Sequence, residues 1–314
     1  MIQSYSATNS IPIERIEDPT EEFFRKNYLE KGRPVVIVQK KSPPPQLKWD
    51  FDYLARVAGD SPVPVYDWGD KGPTVNDDFE ITQMKLAEAL VHAKKVHSPE
   101  TQRYSVCQLS ISRFLPTLSG EYKTPDFIAN AESLDQLPEP FSETSRRALF
   151  VSFFRGIHWH NGREVVAQLA HGQKKFILYH PNDSRFLYPR KLQDSGMAWF
   201  DENEAVFCSE IPFESGLDKI DLKKFPLYEH ASPYEVDLKA GESLFIPSHW
   251  WHFTVAHEPC IVIAHFWDSP LRRWGMPIGW RSLIMKPYRK YLYQHVLKAK
   301  KTFSKDSKIK ADAV

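Results

Sequence analysis

From about Arg103 onward the chain is built of short apolar runs separated by turn signals: Tyr104-Ser105-Val106, Ala148-Leu149-Phe150-Val151, Val165-Val166-Ala167, Phe176-Ile177-Leu178-Tyr179, Tyr234-Glu235-Val236, Leu244-Phe245-Ile246 and Ile261-Val262-Ile263-Ala264. Runs of this length, rich in β-branched and aromatic residues and without helical segments between them, indicate a β-barrel or sandwich.

The flanks read differently. Asp18-Pro19-Thr20-Glu21 predicts a helix start with Asp18 as N-cap, Pro19 at the first position and Glu21 three residues after the cap. That helix runs through Phe23, Phe24 and Tyr28 to Gly32, and Pro34-Val35-Val36-Ile37-Val38 follows as a strand. Ser42-Pro43-Pro44-Pro45 breaks the chain, and a second helix fits Ile81 to Lys94, with Met84, Ala87, Leu90 and Val91 on one stripe. Trp280 through Lys301 has aromatic and basic residues at near-helical spacing, ahead of a polar tail. Three regions result: 1–102, a helix and strand region packing on the barrel; 103–270, the barrel; and 271–314, a C-terminal helix and tail.

With 314 residues the chain can bury a sizeable core, and its formal net charge of +1 gives no bulk-charge reason to expect a nucleic-acid partner. Met1-Ile2-Gln3-Ser4-Tyr5-Ser6 lacks the basic start and apolar core of a leader, and no run reaches membrane-spanning length, so the expected location is cytoplasmic and no membrane partner is expected. Cys107, Cys208 and Cys260 are widely spaced and odd in number, which favours buried thiols over a disulfide framework.

Two segments carry chemistry. Gly156-Ile157-His158-Trp159-His160-Asn161-Gly162-Arg163-Glu164 is answered by Gly241-Glu242-Ser243-Leu244-Phe245-Ile246-Pro247-Ser248-His249-Trp250-Trp251-His252. On one extended strand His158, His160 and Glu164 share a face, because side chains alternate; a neighbouring strand adds His252. Three imidazoles and a carboxylate suit iron, manganese, nickel or zinc. Alternatives stand beside this set. His160 is either a ligand or turned away, and Glu164 is either a ligand or a carboxylate orienting a ligand imidazole. His171, His180, His230, His249 and His257 read as loop or surface residues, and Trp250 and Trp251 as packing residues.

The same residues carry a family resemblance. Gly156 to His160, Val166-Ala167-Gln168, Gly172 to Asp183, Leu187-Tyr188-Pro189, then Ala240 to Pro247, Trp250-Trp251-His252 and Phe266-Trp267 resemble the Jumonji C or cupin-like hydroxylases, as does the stretch from Phe23 to Val38. The resemblance covers most of residues 10 to 290. It implies a mostly β fold, a double-stranded β-helix (cupin or jelly-roll barrel) with flanking N-terminal and C-terminal helices. It also implies one iron, as Fe(II), with 2-oxoglutarate and dioxygen as co-substrates. Family hydroxylases show His-x-Asp where this chain has His158-x-His160, and His158, His160 and Glu164 with Gly241, Pro247 and His252 are similar to the ligand pattern of the wider cupin superfamily.

By the same resemblance Lys174 stands where relatives bind the distal carboxylate of 2-oxoglutarate; its other reading is a solvent-facing strand lysine. Arg155 replaces a threonine and His265 an asparagine of those relatives, and both enter the expected co-substrate site. The expected activity is a metal-dependent oxygenase acting on a small metabolite, a protein or RNA, and a homodimer is compatible with it. Its rivals are a three-histidine cupin enzyme that does not use 2-oxoglutarate, and a binding module that has lost activity.

Overall fold

The computed structural model describes residues 9–72, 79–96, 101–129, 147–151, 154–160, 163–191, 206–213, 216–256 and 258–269. The chain opens with strands β1 (Ile11–Pro12) and β2 (Arg15–Glu17) and helix α1 (Glu21–Phe24). Thr20 caps α1 by accepting a hydrogen bond from Phe23 N, an interaction worth about 1 kcal/mol at such positions. The cap expected at Asp18 is displaced because that carboxylate accepts instead from the amides of Lys40 and Lys41. A π-type turn over Arg25–Leu29 follows, and Gly32 reverses the chain at φ 58.

Strand β3 (Val35–Val38) matches the β-branched run; α2 (Phe51–Ala58), β4 (Pro62–Asp67), β5 (Glu80–Lys85) and α3 (Leu86–Lys94) come next. The helix expected from Ile81 therefore begins only at Leu86. Residues 80–85 pair antiparallel with β4, Met84 opposite Val63 and Thr82 opposite Val65, and this cross-strand pairing overrides a helical stripe that local spacing alone supports.

Strand β6 (Tyr104–Ser110) and the short helices α4 (Ile111–Phe114) and α5 (Pro116–Glu121) lead to the remaining strands. These are β7 (Arg147–Val151), β8 (Phe154–His160), β9 (Arg163–His171), β10 (Gln173–Tyr179), β11 (Pro189–Lys191), β12 (Val206–Ser209), β13 (Pro233–Lys239), β14 (Glu242–Ile246), β15 (Trp251–Ala256) and β16 (Ile261–Asp268). Every apolar run picked out from Arg103 onward lies in one of the strands from β6 to β16. The C-terminal segment expected to be helical lies outside the described residues.

Two sheets form the body, in the orders β1-β13-β10-β15-β8-β12-β11 and β2-β3-β14-β9-β16-β7-β6-β4-β5. They make the expected jelly roll, as two sheets that do not close into a barrel among the described residues. Val165 and Ala167 of β9, Phe176 of β10, Ile246 of β14 and Val262, Ala264 and Phe266 of β16 meet between them. The N-terminal segment is woven into this body: β1 pairs with β13 and β3 with β14. It also covers the outer face of the second sheet. Leu54 of α2 and Leu90 of α3 pack over Leu149 and Ile263, while Phe24 and Tyr28 pack over Val166, Phe245 and Trp267. The sheet is thus apolar on both faces, and each such side chain removed from water contributes about 1.5–3 kcal/mol. Among the described residues no helix is long and apolar enough to cross a membrane.

Candidate functional site

Strands β8 and β15 run antiparallel with His158 directly opposite His252. Both imidazoles are buried, and their ring centroids lie 4.4 Å apart. His252 Nδ1 is 3.0 Å from the carbonyl oxygen of Trp250. A carbonyl only accepts, so Nδ1 carries the hydrogen and Nε2 keeps its lone pair, the tautomer a metal-binding imidazole needs. The loop presenting His252 is anchored by its indoles: Trp250 Nε1 donates to Gly32 O at 3.0 Å and Trp251 Nε1 to Ser184 Oγ at 2.9 Å. Both tryptophans are buried packing residues.

The two histidines open onto a cavity lined also by Gln108, Phe150, Val165, Ala167, Lys174, Phe176, Ile246, Thr254, Val262, Ala264 and Phe266. Lys174 is only 3% exposed. It is therefore a cavity lysine and not a solvent-facing one. The Cys260 thiol hydrogen-bonds Lys174; burial raises the thiol's pKa while the lysine pulls it down. On β10, Leu178 sits opposite His252 and Lys174 opposite Ala256. Four residues of strand separate the two levels, about 13 Å along the chain.

The other sequence-derived candidates distribute as follows. The backbone of Arg155 pairs with Thr254 and that of His160 with Val206; their side chains lie outside the described part of the structure. Glu164 does not continue the strand of His158, because β8 and β9 belong to different sheets. On β9 it is Val165 and Ala167 that face the cavity, which puts Glu164 on the opposite face. Its Oε2 accepts from Ser248 N at 2.8 Å. The expected convergence of Glu164 with His158 is corrected on this ground. His265 is corrected likewise. Its neighbours Ala264 and Phe266 line the cavity, whereas His265 lies behind the sheet with Nδ1 2.7 Å from Tyr122 Oη and its ring 6.0 Å from Trp267.

His249 is in a loop but not at the surface as expected: it is 4% exposed, has φ 67, and its Nδ1 lies 2.7 Å from Ser248 Oγ. Burial lowers its pKa to about 4, which keeps it neutral. Thr254 and Gln108 entered no sequence reading. Alternation from His252 gives Thr254 away, two residues on along the same face. Gln108 has no such signal, because a register shift in β6 places it.

Comparison with known proteins fits this geometry. Residues 20–273 match the family of cupin-like domains. The chain is similar to human tRNA wybutosine-synthesizing protein 5, 24% identical over 277 residues that cover 83% of this chain and 79% of that protein. It is similar to lysine-specific demethylase 8 of Xenopus tropicalis, 26% identical over 82% of this chain and 53% of that protein. Jumonji C domain-containing protein 5 of Drosophila melanogaster is 22% identical over 83% of this chain and 61% of its own length. With the match spanning most of the chain and both sheets, this protein belongs to the Jumonji C-like family of cupin-like domains.

Proposed function

We propose that the chain is an Fe(II)-dependent dioxygenase that uses 2-oxoglutarate. The observation that carries this reading is Lys174, buried in the same cavity as the facing pair His158 and His252 and four strand positions from the level of His252. The two described imidazoles fit a divalent transition metal, and the hydrogen bond from His252 Nδ1 to Trp250 O fixes the donor nitrogen. His158 and His252 hold the ion in this reading, with His160 as third ligand. When bound, Fe(II) supplies the redox chemistry by which dioxygen is used to oxidise co-substrate and substrate. With Glu164 outside the donor set, the chain would hold an ion through imidazoles alone, and the ion would supply the site at which co-substrates react.

The remaining work falls to the chain itself. Lys174 binds and orients the far carboxylate; Phe150, Phe176 and Phe266 exclude water from the cavity and strengthen each charge contact inside. The relatives act, by their names, in tRNA wybutosine synthesis and lysine demethylation, which supports enzymatic oxidation as the class. A three-histidine centre without 2-oxoglutarate is the second reading, and it shares the turn of Glu164 away from the cavity with the first. Anaerobic titration of iron-loaded protein with 2-oxoglutarate, then oxygen and a succinate assay, separates them. A charge-transfer band in wild type that weakens in Lys174→Ala, followed by succinate, supports the first; no band, no calorimetric binding and no succinate transfers the assignment to the second.

A further inference from the structure

Cys260 is a buried nucleophile that the proposed chemistry does not use. It stands just ahead of β16 and is 1% exposed. The turn between β9 and β10 brings it to the cavity lysine. Gly172 has no side chain, and a Cβ there would meet Cys260 Cβ at 3.1 Å. Lys174, two residues after that glycine, hydrogen-bonds the Cys260 thiol. The cysteine also lines a second, smaller cavity, which it shares with Val96, Gln102 and Tyr104. A thiol is thus held between two cavities with an amine against its sulfur. Cys107 has a different setting, packed with Tyr66 and Trp68 and 3.3 Å from the Ser105 hydroxyl.

The amine governs what this sulfur can become. Peroxides attack a cysteine as its thiolate, and an adjoining cation favours that form against the opposing effect of burial. Once the sulfur is a sulfenic acid, its fate depends on the nucleophile beside it: a thiol gives a disulfide, and a nitrogen gives a sulfenamide. For Cys260 that neighbour is the Lys174 amine, and their hydrogen bond already brings together the two atoms to be joined.

Resting on the 2-oxoglutarate reading, we infer that Cys260 and Lys174 form a peroxide-driven, thiol-reversible sulfur–nitrogen cross-link that switches off the co-substrate site. Hydrogen peroxide transfers one oxygen to Cys260 Sγ as its O–O bond breaks, so that sulfur is oxidised by two electrons and water is released. Lys174 Nζ then attacks the sulfur and the S–O bond breaks. The ammonium gives up two protons, one leaving with the hydroxyl as water and one passing to solvent. The resulting Sγ–Nζ bond carries no positive charge, so a dicarboxylate loses its charged partner. Two equivalents of a small thiol restore the Cys260 thiol and the Lys174 amine and are themselves joined as a disulfide.

The test treats the metal-free chain, in which no iron decomposes the oxidant, with hydrogen peroxide. The intact mass should fall by about 2 Da, and digestion should yield a peptide pair joined through Lys174 and Cys260 that dithiothreitol separates. Cys260→Ser should show neither. After removal of peroxide and anaerobic loading with iron, treated wild type should bind 2-oxoglutarate at least about tenfold more weakly by calorimetry than untreated protein. Dithiothreitol should restore the affinity to within about twofold, and Cys260→Ser should keep its own affinity through the treatment. Cys260 recovered as a thiol, a disulfide or a sulfinic or sulfonic acid, with Lys174 unmodified, overturns the inference while the 2-oxoglutarate reading stands. Cross-linked protein that binds 2-oxoglutarate as well as untreated protein overturns the switch. Untreated wild type that does not bind 2-oxoglutarate overturns the reading itself, and the joined peptide pair still decides the cross-link.

Discussion

Glu164 Oε2 accepts a 2.8 Å hydrogen bond from the backbone amide of Ser248, tying the start of β9 to the loop that presents His252 across 84 residues of sequence. The carboxylate is 2% exposed and faces away from the cavity, so it acts on the site through the loop.

Glu164→Gln retains an acceptor oxygen, and iron affinity should fall by less than about threefold with the coordination spectrum unchanged. Glu164→Ala leaves the Ser248 N–H without this acceptor and should cost about 1–3 kcal/mol of stability by chemical denaturation. A spectrum altered in Glu164→Gln would return the carboxylate to the metal.

The facing pair His158 and His252 should carry most of the metal affinity. His158→Ala and His252→Ala are each expected to lower iron binding at least about tenfold, since a lost ligand leaves too few donors. His249→Gln should retain it. Equal iron content in wild type and in the His158→Ala, His252→Ala double variant refutes the site.

His249 should make stability depend on acid. Burial lowers its pKa in the folded chain from 6.5 to about 4. Between those values the unfolded chain binds a proton that the folded chain refuses, so stability is fully present above about pH 6.5 and declines as pH falls toward 4. The loss is on the order of 3 kcal/mol. Urea denaturation of wild type and His249→Gln across that range should show a gap that changes with pH; parallel curves would count against it.

Gly172 makes the turn between β9 and β10 at φ 83, and a Cβ there would lie 2.6 Å from Pro259 O and 3.1 Å from Cys260 Cβ. Gly172→Ala should therefore destabilise by about 1–3 kcal/mol, from backbone strain and overpacking together. Its displacement of Cys260 and Lys174 should also weaken 2-oxoglutarate binding. A melting temperature equal to wild type would show that the turn relaxes freely.

What the sequence determined by itself was the local content: strands with an alternating face, the Gly-to-Pro run of β14, and the pairing of a His158 segment with a His252 segment. Alternation is a property of one strand, and His158, His252 and Thr254 obey it without help from elsewhere. Tertiary structure decided everything that depends on where one strand ends and which sheet the next one joins. The change of sheet between His160 and Arg163 takes Glu164 off the face predicted for it. The covering of the second sheet, by Phe24 and Tyr28 over Val166 and by Tyr122 against His265, turns His265 and Val166 into buried residues behind the cavity. Pairing with β4 makes a strand of residues 80–85 despite their helical spacing. The bulge in β6 directs Gln108 inward. In each case the deciding energy comes from hydrogen bonds and apolar contacts between segments far apart in the chain, which local spacing does not encode.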